Sequence, residues 1–316
     1  IRRYWSRGMA VELIVSRGPS SRSPVAAAIA MKPSRSRFLD VRKLRCHLRE
    51  WGEPGAPRLV LLHGWMDVSA SFQFVVDAFE RDWHVVAPDW RGFGLSDPGP
   101  GDCYWFPDYL ADLDAILDAV SPEAPADLVG HSMGGNVALL YAGARPSRVR
   151  SLVNLEGFGL RDSAAGLAPA RYARWLEELK SPPSARRYAT GAEVAERLRQ
   201  DNPRLDAGRA GFLAGHWSRP TEDGAFEIAG DPAHKIVNPV LYRWAEVAAC
   251  WAAITCPVLW VEATDTDAHR WAGTAEDIAA RVAVLKTVEV VRLAEAGHML
   301  HHDQPREVAR LIEHFV

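Results

Sequence analysis

Residues Ala126–Gly143 read "ADLVGHSMGGNVALLYAG", and the residue in the middle of that stretch decides how the chain is built. Ala126 to Val129, apolar but for Asp127, predict a buried strand, and from Asn136 onward apolar residues fall at helical spacing. Between the two patterns stands Ser132, boxed in by Gly130, Gly134 and Gly135. Gly130-His131-Ser132-Met133-Gly134 matches G-x-S-x-G, the sharp strand-to-helix turn that holds a nucleophile in strained backbone at the top of a sheet. The glycines let strand and helix approach without side-chain clashes, and the helix points its first N–H groups at negative charge forming near the serine. Because G-x-S-x-G also arises by chance, the strand before it and the helix after it carry the reading.

Outward from this turn, strand-like and helix-like segments alternate. "RLVLLHGW" (Arg58–Trp65), "WHVVAPDW" (Trp83–Trp90), "RVRSLVNLE" (Arg148–Glu156), "PVLWVEA" (Pro257–Ala263) and "VEVVRLAEAGH" (Val288–His298) read as buried strands, and "FLDV" with "LRCHLREWG" as an opening hairpin. "PDYLADLDAILDAV" and "EVARLIEHFV" have helical spacing between and after them, which predicts a mostly parallel sheet covered by helices. The rhythm breaks between Gly157 and Ala253, where "ARYARWLEELK" and "AEVAERLRQ" follow one another without a buried strand. An inserted helical lid over 158–253 is expected, with the sheet domain formed by 37–157 and 254–316. Residues 1–36 mix Arg, Ser and Pro around one short apolar patch, "VAAAIAM" (Val25–Met31), and read as a tail. Met31 is then a candidate natural start, and a helical N-terminal arm is the competing reading.

The 316 residues are 48% hydrophobic, enough for a sizeable core. Lys plus Arg number 37 against 40 Asp plus Glu, so the net charge of -3 gives no general pull towards nucleic acid or membrane, and a small-molecule partner is expected. Cys46, Cys103, Cys250 and Cys256 are scattered without C-x-x-C spacing and read as reduced thiols rather than a disulfide framework. No apolar run approaches the roughly 18 residues needed to span a bilayer, and a soluble cytoplasmic protein is expected.

A serine hydroxyl is a poor nucleophile near neutral pH and requires a positioned base, which itself requires an orienting group. The base candidate is His298, which follows the last strand and precedes the last helix. A metal role for His298 and His302 is not expected. Their H-x-x-x-H spacing lacks the glutamate of a zinc-protease helix, with Met299 in its place.

With these residues in view, the chain resembles the α/β-hydrolase family from Phe38 to Val316. "LLHGW" resembles its oxyanion loop, "DWRGFGLSD" the turn after the next strand, "GHSMGG" the nucleophile turn and "AGHMLHHDQPREV" the histidine segment, all in the family's order. "LHGWMDVSASF" and "DPAHKIVNPVLYRWAEVAACW" resemble the serine-hydrolase-like subgroup, related to carboxylesterases and C–C bond hydrolases. The resemblance implies an α/β-hydrolase fold with an eight-stranded, mostly parallel sheet and a helical lid, no cofactor, no metal, and a triad acid. Relatives often read G-x-x-D or G-x-x-S-D after the strand matching "PVLWVEA". Setting Ala263 in the glycine's place puts Thr266 at the shorter spacing and Asp267 at the longer. Asp267 is therefore the first candidate and Asp265 the second. Glu156 is the third, at the strand end where haloalkane dehalogenases and some other relatives carry their acid.

The same resemblance nominates the backbone N–H groups of Trp65 and Met133 as the oxyanion hole. Trp65, Trp217 and Trp244 are candidate substrate contacts, although lid-to-core packing is the plainer reading for most of the lid aromatics. His63 is expected to pack its loop, Asp89, Arg91 and Ser96 to build their turn, and His234 and Arg243 to form salt bridges. The implied function is hydrolysis of a small carboxylic ester through an acyl-enzyme. C–C bond or lactone cleavage by the same triad is the neighbouring alternative, and a ligand receptor on the same fold is the alternative of another class. Serine at the turn argues against dehalogenase and epoxide-hydrolase chemistry, whose relatives use aspartate there.

Overall fold

Alternate residues of the central strands feed two separate cores, one on each side of the sheet. In the computed structural model, which describes residues 12–15 and 31–316, Val60 and Leu62, Leu128, and Val258 and Trp260 enter one core. Their neighbours Leu59 and Leu61, Val129, and Leu259 and Val261 enter the other. This is the period-two consequence of the pleat, and it is why these strands read as continuous apolar runs.

The elements, in chain order, are strands β1 (Glu12–Val15), β2 (Ser34–Val41), β3 (Leu44–Trp51) and β4 (Arg58–Leu62), helix α1 (Gln73–Ala78), β5 (His84–Pro88), α2 (Phe106–Val120), β6 (Ala126–His131), α3 (Met133–Ala144) and β7 (Val149–Leu155). There follow α4 (Ala168–Lys180), β8 (Arg187–Tyr188), α5 (Gly191–Asp201), α6 (Ala207–Trp217), β9 (Ser218–Pro220), β10 (Phe226–Ile228) and α7 (Trp244–Ala253). The chain ends with β11 (Val258–Ala263), α8 (Ala275–Val282), β12 (Val288–Leu293), α9 (Leu300–Asp303) and α10 (Pro305–Phe315).

The large sheet runs β1-β12-β11-β7-β6-β4-β5-β3-β2 and is parallel except at β3 and β2, the expected opening hairpin. Helices α2, α3, α7 and α8 cover one face, and α1, α9 and α10 the other. Eight of the strands match the expected sheet, and the ninth, β1, comes from the segment read as a tail. It pairs with β12, and β2 already begins at Ser34, so the boundary at residue 36 is corrected on both counts. Four residues are too few to show a period. The apolar patch at Val25–Met31 lies outside the described residues, Met31 aside.

The insertion is not purely helical. Helices α4, α5 and α6 accompany a three-stranded antiparallel sheet, β8-β10-β9, and Val194, Leu198, Ala210 and Leu213 join a small core of their own. Strands of two or three residues leave no trace in sequence periodicity. α7, by contrast, belongs with the sheet domain. It lies along α3 so closely that a Cβ on Gly143 would sit 2.0 Å from the Cys250 carbonyl oxygen, and Trp251 is fully buried against the sheet. The insertion is tied to loops that follow the C-terminal ends of several strands. Gly94 donates to the Ala229 carbonyl at 2.8 Å, Asp231 to Gly92 at 2.7 Å, and the Trp217 indole to the Ser71 hydroxyl at 3.1 Å. No helix among the described residues is long and apolar enough to cross a membrane.

Close approach at the central turn is what the glycines provide. A Cβ on Gly134 would lie 2.1 Å from the Leu62 carbonyl oxygen, and one on Gly130 would lie 2.5 Å from the Gly134 oxygen. Gly134→Ala is therefore expected to lower unfolding stability by about 1–3 kcal/mol, the usual cost of overpacking. Gly211→Ala, where none of the described residues lies within 4 Å of the added methyl, should be neutral or stabilise α6. Urea denaturation of the two variants checks the contrast.

Candidate active site

Three neighbouring strands end level with one another. Leu62 of β4 lies opposite Gly130 of β6, and His131 of β6 opposite Leu155 of β7. The next residues are Ser132 and Glu156, and both have left-handed backbone, with φ of 51° and 60°. For side chains of this kind that conformation is uncommon and persists where the surroundings enforce it. The Ser132 N–H donates to the Leu155 carbonyl at 2.8 Å, and the Glu156 N–H to the Val261 carbonyl at 3.1 Å, which fixes both residues to adjacent strands.

His298 enters from the loop between β12 and α9 and joins them. Its Nε2 lies 3.0 Å from Ser132 Oγ, and its Nδ1 3.2 Å from Glu156 Oε2. The Glu156 side chain is fully buried. Its Oε1 accepts the Ala263 N–H at 2.6 Å, and its Oε2 also accepts the Thr266 hydroxyl. Burial pushes the Glu156 carboxyl above its ordinary value, and the hydrogen bonds from His298, Thr266 and Ala263 pull against that rise. The His298 carbonyl accepts the His131 Nε2–H at 2.8 Å, and Trp271 meets the His298 ring edge-on, 5.0 Å between centroids. Trp271 escaped the sequence reading because it stands outside every recognised motif.

The first choice of acid is corrected. The half-exposed Asp267 carboxylate pairs with Arg270 at 3.3 Å, and Asp265 pairs with Arg204. The carboxylate that reaches His298 is Glu156, the third candidate. The physical reason lies at Thr266, which occupies the shorter of the two spacings after β11 and turns its hydroxyl onto Glu156. Asp267 then opens a helical turn at Ala268–Arg270.

Around this chain, Gly64 touches the nucleophile turn, since a Cβ there would stand 3.3 Å from Ser132 Cβ; Trp65 follows it with its ring half-exposed. Met133 opens α3, where first-turn amides have no intrahelical acceptor. Trp217 and Trp244 have packing partners instead of an evident substrate role. Trp217 bonds Ser71, and Trp244 lies T-shaped on Trp251 at 5.2 Å with the Arg281 guanidinium over its ring. His63 is held through both nitrogens, by the Gly64 carbonyl at 2.7 Å and the Trp90 N–H at 2.9 Å. His234 stacks between Phe93 and Tyr104, and burial lowers its pKa to about 3, so it is a neutral packing group rather than a salt-bridge partner. Arg243 pairs with Glu246 at 3.8 Å. Asp89 collects His47 and the Ser69 and Leu95 amides, while Arg91 makes a two-pronged contact with Asp112, so both build their turn.

A serine, a histidine and a buried carboxylate linked in series at the C-terminal edge of a mostly parallel sheet define a hydrolase of the α/β type. The chain belongs to the α/β hydrolase fold family, whose sequence profile matches residues 57–305. A serine hydrolase-like protein of Danio rerio is 32% identical over 192 residues, covering 57% of each chain. A serine hydrolase-like protein of Dictyostelium discoideum is 25% identical over 68% of this chain and 62% of its own. The match thus spans under two thirds of the length of these two relatives. A 3-hydroxybutyrate-oligomer hydrolase of Cupriavidus necator is 28% identical over 84% of this chain and 90% of its own. Among solved structures, the thioesterase domain from the curacin biosynthetic pathway superposes with a TM-score of 0.79 at 24% identity, covering 89% of this chain and 99% of that one.

An activated serine reacts with a fluorophosphonate probe irrespective of its natural substrate. One label per chain is expected at Ser132, located by peptide mass spectrometry, and absent from Ser132→Ala. His298→Ala should slow labelling by at least about 100-fold, the usual contribution of a general base.

Proposed function

We propose that the protein hydrolyses a small carboxylic ester through an acyl-enzyme on Ser132. The observation that carries this reading is the continuous series Ser132 Oγ, His298 Nε2 at 3.0 Å, His298 Nδ1 and Glu156 Oε2 at 3.2 Å. As Ser132 Oγ attacks the carbonyl carbon, His298 Nε2 takes its proton, and the buried Glu156 carboxylate stabilises the imidazolium that forms. The N–H groups of Met133 and Trp65 receive the oxyanion. The imidazolium then protonates the leaving alkoxide, and a water deprotonated by His298 releases the acid and restores the serine.

The ester reading is favoured over C–C bond or lactone cleavage by the breadth of the match to the 3-hydroxybutyrate-oligomer hydrolase, which points to short hydroxy-acid esters as a first substrate class. p-Nitrophenyl esters of graded acyl length and a 3-hydroxybutyrate dimer ester are the substrates for the test. A burst followed by sustained turnover is expected, with kcat falling by about 10⁶ in Ser132→Ala. A burst without turnover would move the reading to a ligand receptor.

The acid is tested on the same substrate. Glu156→Gln preserves size but removes the charge that orients and stabilises His298, and the rate should fall by about 10⁴ if this site behaves as the serine-protease triad does. Asp267→Asn should leave kcat within about twofold. Equal loss in the two variants, or greater loss in Asp267→Asn, would return the role to the loop after β11.

A further inference from the structure

Beside the nucleophile turn, three buried side chains turn donor atoms towards one another. His131, Asp67 and His301 are each at most 2% exposed, and one donor atom from each lies within 4.8 Å of the other two. The His131 Nε2 faces the His298 carbonyl at 2.8 Å and must carry the proton there, so its Nδ1 is a bare lone pair. Asp67 spends Oδ1 on the Val68 N–H at 2.7 Å and on the Ser71 hydroxyl, leaving Oδ2. Among the described residues, both ring nitrogens of His301 lack a hydrogen-bond partner, as do His131 Nδ1 and Asp67 Oδ2. The nearest approach between the Asp67 and His301 groups, Oδ2 to Nε2 at 3.8 Å, is too long for a hydrogen bond.

Leaving several buried polar atoms unpaired is costly, and their convergence calls for a shared partner. We propose that Asp67, His131 and His301 bind a divalent cation of the zinc class. Two imidazoles and a carboxylate are a donor set that suits zinc and its neighbours rather than calcium or magnesium. The outer contacts have the form such sites use, with one histidine donating its other N–H to a backbone carbonyl and the carboxylate anchored through its second oxygen. Donors about 2.1 Å from a tetrahedral ion stand about 3.4 Å apart, so from a present spacing of up to 4.8 Å the three need to contract by up to about 1.4 Å. Gly64 keeps the space beside His131 Nδ1 open, since a Cβ there would approach that nitrogen to 3.0 Å. His63 is excluded by its two existing hydrogen bonds. The ion would tie together the loop after β4, the end of β6 and α9, the segments that carry Trp65, Ser132 and the approach to His298.

Metal-stripped protein, incubated with Zn²⁺ and desalted, is expected to retain one zinc per chain by mass spectrometry and to melt at higher temperature than the stripped form. X-ray absorption of the zinc-loaded wild type should show two imidazole nitrogens. His301→Gln and Asp67→Asn should each weaken retention by at least tenfold, whereas His298→Ala should retain the ion. No zinc in the wild type, a zinc shell without imidazole, retention undiminished in both ligand variants, or loss in His298→Ala would each overturn the proposal. The absorption spectrum of the wild type decides the matter if either ligand variant fails to fold.

Discussion

Everything at this site depends on two parallel strands ending in register. Because His131 of β6 and Leu155 of β7 are partners, Ser132 and Glu156 leave the sheet side by side. The hydrogen bond from the Ser132 amide to the Leu155 carbonyl holds that arrangement. Both residues adopt left-handed backbone, and each unfavourable conformation is held by pairing to the next strand. Slip β7 by one residue and the alternation of its side chains would reverse, sending Glu156 away from His298. Sheet register thus fixes the position of two of the three linked groups, and only His298 has to be delivered by a loop.

Much of this was legible in the sequence because it rests on residue types with few structural equivalents. Gly130 and Gly134 announced the close crossing of β6 and α3, and the runs around Leu59–Leu62 and Leu128–Val129 announced strands buried on both faces. His298 stood out because it follows the last such strand. What could not be read was the partner of His298. Asp267, Asp265 and Glu156 are all carboxylates at or just beyond strand ends, and spacing alone does not tell which one burial removes from solvent. The informative residue was Thr266, a neutral side chain at the spacing where relatives often carry an acid. Its hydroxyl supports Glu156, so the loop retains a contact with the site after ceding the charge.

The lid shows the same limit from another direction. Its helices carry visible periodicity, but β8, β9 and β10 are too short to produce one, and α7 looks like lid because no long buried-strand pattern separates it from the helices before it. Packing decides otherwise, since Trp251 fills the space between α3 and the sheet, and Trp244 and Trp260 lock it there. Packing is thus the role of Trp244 and Trp251, as the plainer reading of the lid aromatics expects, and through them the sheet domain closes after the insertion. Trp271, with no motif to mark it, meets the His298 ring edge-on.

The buried charge at Glu156 constrains the chemistry as well as the geometry. A carboxylate removed from water is unfavourable unless hydrogen bonds and a counter-charge offset the loss of hydration. Ala263 and Thr266 supply fixed donors, and His298 supplies a third contact whose strength rises when the imidazole is protonated. Burial therefore makes the site respond to one event in particular, the arrival of a proton on His298 when Ser132 loses one. An exposed carboxylate such as Asp267, screened by water and already paired with Arg270, would gain much less from that event. The same argument that makes Glu156 hard for the sequence to reveal makes it the better-placed group to stabilise the charged intermediate.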